Sequence, residues 1–152
     1  MYTINTCSEV ISLARKLEED AAAFYRDLAR RFPEGSEVFT AFAKENEHFI
    51  SLVERAYYGV ISDAYEGCFA FDIAPEKFQI QTNLPEGATR EDAIAAAANI
   101  EEKMVAFYKE AASQSKALMA DVPRAMELVA RKRADRLTRL RYYPDSGASP
   151  KM

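Results

Sequence analysis

"LEEDAAAFYRDLA", residues 17–29, and "IEEKMVAFYKEAA", residues 100–112, share one pattern. Each reads apolar, Glu, Glu and then, at the same offset, Ala-Phe-Tyr. A glutamate precedes a tyrosine by seven residues in both, Glu18 before Tyr25 and Glu101 before Tyr108. Seven residues make about two helical turns, so each pair lies on one helix face. That face is otherwise apolar. The first stripe is Ile11, Ala14, Glu18, Ala21, Tyr25, Leu28 and Phe32; the second is Ile94, Ala97, Glu101, Met104, Tyr108 and Ala111. Spacing by three and four marks amphipathic helices, and charge belongs on their opposite side.

A third stripe carries the same anomaly. Val38, Ala41, Phe42, Glu45, His48, Phe49 and Leu52 recur at helical spacing, and His48 is the chain's single histidine. Three carboxylates at a similar depth on three helices repel one another in a low dielectric, so a cation is expected among them. Carboxylates with one imidazole suit iron, manganese or zinc. Taken singly, each residue also has an ordinary reading: a glutamate head reaching solvent, a core tyrosine with a partner for its hydroxyl, a half-buried imidazole.

Around these stripes the chain reads as four helices. Ser8 caps the first and Pro33 stops it. "PEGS", residues 33–36, turns into a second helix capped by Ser36 and running towards Gly67. Residues 68–88 form a long crossover with a short extended piece near Phe78 and Ile80. Thr89 and Asp92 make a capping box for the third helix. Asp121 and Pro123 open the fourth, which ends near Tyr143, before Pro144. Short, long and short connections predict an all-α four-helix bundle over residues 1–143, two antiparallel pairs joined by one crossover. Residues 144–152 read as a disordered polar tail.

Composition narrows the function classes. The chain has 152 residues and a net charge of −4, which argues against nucleic-acid binding. Cys7 and Cys68 form no Cys-x-x-Cys pair, so neither a disulfide framework nor a thiolate zinc site is expected. No apolar run is long enough for a membrane span, and the start lacks a signal-peptide pattern. A soluble cytoplasmic protein is expected. The basic residues between Arg124 and Arg141 read as a solvated face pairing with acids such as Glu19, Asp20 and Glu102.

"EEDAAAFY" (18–25), "FAKENEHF" (42–49) and "EDAIAAAANIEEKMVAFY" (91–108) together resemble the ferritin-like superfamily, most of all the rubrerythrin-related helical domain. The resemblance covers about residues 8–141. It implies that Glu18, Glu45, His48 and Glu101 stand at metal-ligand positions, with Tyr25 and Tyr108 hydrogen-bonding the ligand carboxylates. It further implies iron (or manganese or zinc), a homodimer, and an oxidoreductase acting on peroxide or oxygen with a separate electron donor. The family's fourth helix carries a second Glu-x-x-His, and this chain has none. Aligning "FAKENEHF" with "VARKRADR" (129–136) puts Lys132 and Asp135 there; a shift of one residue puts Arg133 and Arg136 there. The expectation is then one ion per chain, with Asp135 a further candidate ligand and Lys132 beside it. The alternative is a metal-free bundle acting through assembly or protein partners, with Lys132 or Arg133 as counter-ion to the carboxylates.

Overall fold

The computed structural model describes residues 3–60, 71–116 and 121–146, without side chains for 59–60 and 142–146. Four long helices make up nearly all of it: α1 (Cys7–Arg31), α2 (Ser36–Val60), α3 (Arg90–Ser115) and α4 (Asp121–Ser146). Helix α1 packs on α2 and α3 on α4, while α2 meets α4 and α1 meets α3. The four therefore enclose one core, from Val10, Leu17 and Leu28 to Met104, Phe107, Met126 and Val129. No helix among the described residues is long and apolar enough to cross a membrane.

Local chemistry sets the helix ends. Thr6, two residues before the expected Ser8, caps α1: its hydroxyl accepts the Glu9 N–H at 3.2 Å, and the Glu9 carboxylate accepts the Thr6 N–H at 3.1 Å. The reciprocal Thr–x–x–Glu pair satisfies two donors that Ser8, already in the first turn, cannot reach. Thr89 and Asp92 make the same box at α3. Between α1 and α2, Pro33–Gly35 is a single 3₁₀ turn, and Ser36 is the first residue of α2 rather than its cap. Helix α4 continues to Ser146, past the end expected at Tyr143. The continuation of α2 towards Gly67 and the tail at 147–152 lie outside the described residues.

Phe71–Ile73 pairs with the N-terminal segment through an isolated antiparallel bridge, Ile4 to Ile73; Phe78 closes a second 3₁₀ turn, Pro75–Phe78, and the backbone is extended at Gln79 just after it. In an extended segment, successive peptide groups face opposite ways. Phe71 and Ile73 therefore turn to the N-terminal segment, where Ile4 N–H bonds the Ile73 carbonyl at 2.8 Å and Phe71 N–H the Asn5 carbonyl at 3.0 Å. Asp72 turns the other way. The Gln114 side chain of α3 accepts its N–H at 2.7 Å and donates to its carbonyl at 3.1 Å, acting as a strand edge. Further on, Gly87 takes a φ of 81° in the turn that Ala88 N–H closes onto Pro85, and Arg31 of α1 donates to the Leu84 and Pro85 carbonyls. Gln114→Leu removes both hydrogen bonds to Asp72, and an exposed one to Glu110, and is expected to cost about 1–2 kcal/mol. The loss should appear in urea denaturation together with faster amide exchange at Asp72.

Candidate functional site: a buried arginine–carboxylate centre

Rotation of α2 and α4 decides what meets at the middle of the bundle. On α2, Phe39, Phe42, Phe49 and Val53 are buried, and the residue that completes their stripe is Asn46. Each residue turns the helix by about 100°. Burying that aromatic stripe leaves Glu45 on its flank and swings His48 roughly 200° from Asn46. His48 is accordingly exposed, and Glu45 is half-buried. On α4 the stripe Val122, Met126, Val129, Arg133, Arg136 and Leu140 is buried throughout. Asp135 is exposed and Lys132 half-buried. Of the two alignments for the fourth helix, the one carrying Arg133 and Arg136 faces inward, because it keeps Val129 and Leu140 in the core.

Seven side chains with polar groups are fully buried here: Glu18, Glu101, Arg133, Arg136, Asn46 and, with their hydroxyls, Tyr25 and Tyr108. Arg133 lies between the two glutamates. Its Nε donates to Glu18 Oε2 at 3.1 Å, one terminal nitrogen donates to Glu18 Oε1, and the other donates to Glu101 Oε1 at 2.6 Å. A guanidinium holds five donors in a planar fork, which allows this grip on one carboxylate while bonding a second. Arg136 donates to Asn46 Oδ1 at 2.6 Å, to Glu45 Oε1 at 2.6 Å, to the Phe42 carbonyl at 3.3 Å and to Glu101 Oε2 at 3.4 Å. Its guanidinium carbon stands 4.4 Å from the Phe42 ring centre and 5.3 Å from that of Tyr25, a cation–π setting. Asn46 also donates to the Glu18 backbone carbonyl at 3.3 Å, so it ties α1, α2 and α4 together.

The sequence repeat becomes a reciprocal contact. Tyr25 of α1 donates to Glu101 of α3 at 2.6 Å, and Tyr108 of α3 donates to Glu18 of α1 at 2.6 Å. Equal Glu-to-Tyr spacing on two antiparallel helices makes each tyrosine reach the other helix's glutamate. Burial raises both phenols, and the neighbouring carboxylates raise them further, so both hydroxyls stay protonated and donate. Tyr25→Phe and Tyr108→Phe each deprive a buried carboxylate of a donor. Each should cost about 1–3 kcal/mol in chemical denaturation.

The charges balance. Two fully buried carboxylates face two fully buried guanidinium groups, with Glu45 at the rim at 34 % side-chain exposure. Burial pushes the Glu18 carboxyl above its ordinary value, against the pull of Arg133 and Tyr108. Burial pushes Glu101 up too, but the charges of Arg133 and Arg136 and the Tyr25 hydroxyl outweigh it and hold Glu101 below its ordinary value. Burial works against the charge on Arg133, and Glu101 and Glu18 more than reverse this.

This donor set does not fit a divalent ion at the centre. A guanidinium already bonds both inward glutamates. The imidazole of His48 and the carboxylate of Asp135 are on exposed positions away from them. Among the described residues, no group of three or more His, Cys, Asp or Glu side chains is arranged to hold a metal. Lys132 makes none of the contacts to the carboxylates that Arg133 makes. Asn46 was missed by sequence reasoning, although its signal was there: it fills the gap in the series Phe39, Phe42, Phe49, Val53. No family model matches the chain, and no curated protein or solved structure gives a significant match.

Proposed function

We propose that this chain is a metal-independent helical bundle of ferritin-like arrangement, acting through assembly or protein partners rather than through oxygen or peroxide chemistry, and that its own copy is the first partner to expect. One observation carries the reading: the Arg133 guanidinium bonds both Glu18 and Glu101, with all three side chains fully buried. Two inward glutamates need positive charge, and here the chain supplies it covalently. A guanidinium neutralises carboxylates but has no open coordination position and no second oxidation state. Support for the ferritin-like arrangement comes from the helix pairing and from the reciprocal Tyr25–Glu101 and Tyr108–Glu18 contacts.

Purified from cells supplied with iron, manganese and zinc, the protein should carry only substoichiometric metal. Its melting temperature should be the same with a chelator as with added Fe(II), Mn(II) or Zn(II). A resident ion at 100 times its dissociation constant adds about 2.7 kcal/mol to stability, so a real site would be visible in this assay. One tightly held ion per chain, with stability lost on chelation, would return the reading to a rubrerythrin-like iron protein.

A further inference from the structure

The two halves of the crossover differ in how their main chain is satisfied. At Phe71–Ile73 both edges are taken, one by Ile4 and Asn5 and the other by the Gln114 side chain. Residues 79–83, "QIQTN", differ: among the described residues, nothing hydrogen-bonds their main-chain N–H or C=O groups. The stretch is nevertheless held in shape. Gln79 is extended, and residues 79–83 form no helix, turn or sharp bend. Leu84 precedes Pro85, which favours extended backbone there too. Phe78 anchors one end, edge-on to Phe107 with ring centres 5.6 Å apart. Arg31 anchors the other through the Leu84 and Pro85 carbonyls. Ile80 and Leu84, on one side of such a strand, pack on the core; Gln79, Gln81 and Asn83, on the other, are exposed.

Beside this edge a groove of about 400 Å³ runs between the crossover and α1. Buried Leu17 and Phe78 floor it, with half-buried Leu13, Pro75 and Ile80 alongside. A second hollow of similar size continues it past Leu13 and Pro75 towards Ile4. The charged groups of the groove are Lys16, Asp20 and Glu76. Lys16 pairs with Asp20 at 2.9 Å, and Glu76 is exposed with no cation of the described residues beside it, so the groove is acidic on balance.

We propose that residues 79–83 are an open strand edge that captures an extended, basic segment of a partner protein, held by main-chain hydrogen bonds and by alternate apolar side chains laid into the groove on α1. An unpaired edge is a template for a further strand, because an extended main chain offers N–H and C=O groups at the matching repeat. Exposed edges are commonly guarded by lysine or proline, and residues 79–83 hold neither. A strand laid alongside points every second side chain the same way as Ile80, down onto Leu13 and Leu17. Glu76 and Asp20 favour cations on that strand. The anchors at Phe78 and Arg31 fix the edge beforehand, so little ordering is left to binding. The inference goes beyond the reading above, which named the chain's own copy as partner, and does not depend on the metal content of the arginine centre.

The probe is an acetylated, amidated hexapeptide of alternating lysine and valine, titrated into ¹⁵N-labelled full-length protein at neutral pH. The amide signals of residues 79–83 should shift together, and their hydrogen exchange, fast in the free protein, should slow at least tenfold at saturation. The same peptide N-methylated at every residue keeps its side chains but has no main-chain donors, and should bind at least tenfold more weakly. A peptide of alternating glutamate and valine should be weakened as much. Gln81 and Thr82 present their N–H groups on opposite edges of a strand. Gln81→Pro and Thr82→Pro should therefore both melt like the wild type, while the one on the groove edge loses the peptide at least tenfold. Absence of binding, shifts scattered over the acidic surface with none at residues 79–83, equal binding of the N-methylated peptide, or full affinity in both proline variants would each overturn the proposal.

Discussion

Arg133→Met should lower the unfolding free energy by about 3–5 kcal/mol, the usual cost of removing one member of a buried ion pair and leaving the other uncompensated. Glu18 loses two donors and Glu101 loses one, and both are fully buried. Methionine keeps the aliphatic stem, so lost volume is a minor part of the effect. Lys132→Met, one residue away and half-buried, is the control and should stay within about 0.5 kcal/mol. Arg133→Lys should recover only part of the loss, because one ammonium cannot grip Glu18 side-on and reach Glu101 together. Urea denaturation at neutral pH measures all three. Neutralising the whole centre is a different matter. Combining Arg133→Met and Arg136→Met with Glu18→Leu, Glu101→Leu, Asn46→Leu, Tyr25→Phe and Tyr108→Phe leaves neither a fully buried charge nor the Asn46 amide without its Arg136 donor, and such replacements are often neutral or stabilising by about 1–4 kcal/mol.

The second large effect separates the two glutamates. Glu101→Gln should cost about 3–5 kcal/mol at neutral pH, since it strips a carboxylate bonded by both arginines and by Tyr25. Glu18→Gln should cost less, about 1–3 kcal/mol, because burial already favours its neutral form. Their pH dependences have opposite signs. Glu101 is depressed in the fold, so its stabilisation is fully present above the ordinary glutamate range and is lost as pH falls below it, through the depressed value. Glu18 is raised, so the fold holds its proton more tightly than the unfolded chain does. Its contribution is present at and below the ordinary range and is lost as pH rises through the window above it. Glu101→Gln should therefore flatten the acid arm of the stability curve, and Glu18→Gln the arm just above it. Denaturation midpoints collected from pH 3 to 7 would show both; identical profiles for the two variants would contradict the assignment.

Much of this centre was legible in the sequence. Glu18, Glu101, Tyr25 and Tyr108 were found because a repeat put polar groups at the same phase of two strongly periodic helices. The need for a cation among buried carboxylates followed from charge alone. Which residue supplied it did not. Residues 132 and 133 differ by 100° of helix rotation, and only the packing of Val129 and Leu140 fixes which one points inward. His48 misled for the same reason: Glu45 and His48 can share a face, but not the face that buries Phe39, Phe42, Phe49 and Val53. The pairing at Phe71–Ile73 is not legible in the sequence because its partners are long-range, Ile4 and Asn5 on one side and the Gln114 side chain on the other. Local pattern carries no trace of such pairing.

The most direct test of the central claim, that arginine side chains rather than metal ions neutralise this site, is a crystal structure of the protein grown with excess Mn(II), Fe(II) or Zn(II), with anomalous scattering collected at the metal edge. The expected map shows continuous density for the Arg133 guanidinium between Glu18 and Glu101 and no anomalous peak at the centre. An anomalous peak bonded to Glu18 and Glu101, with Arg133 turned away, would contradict the account.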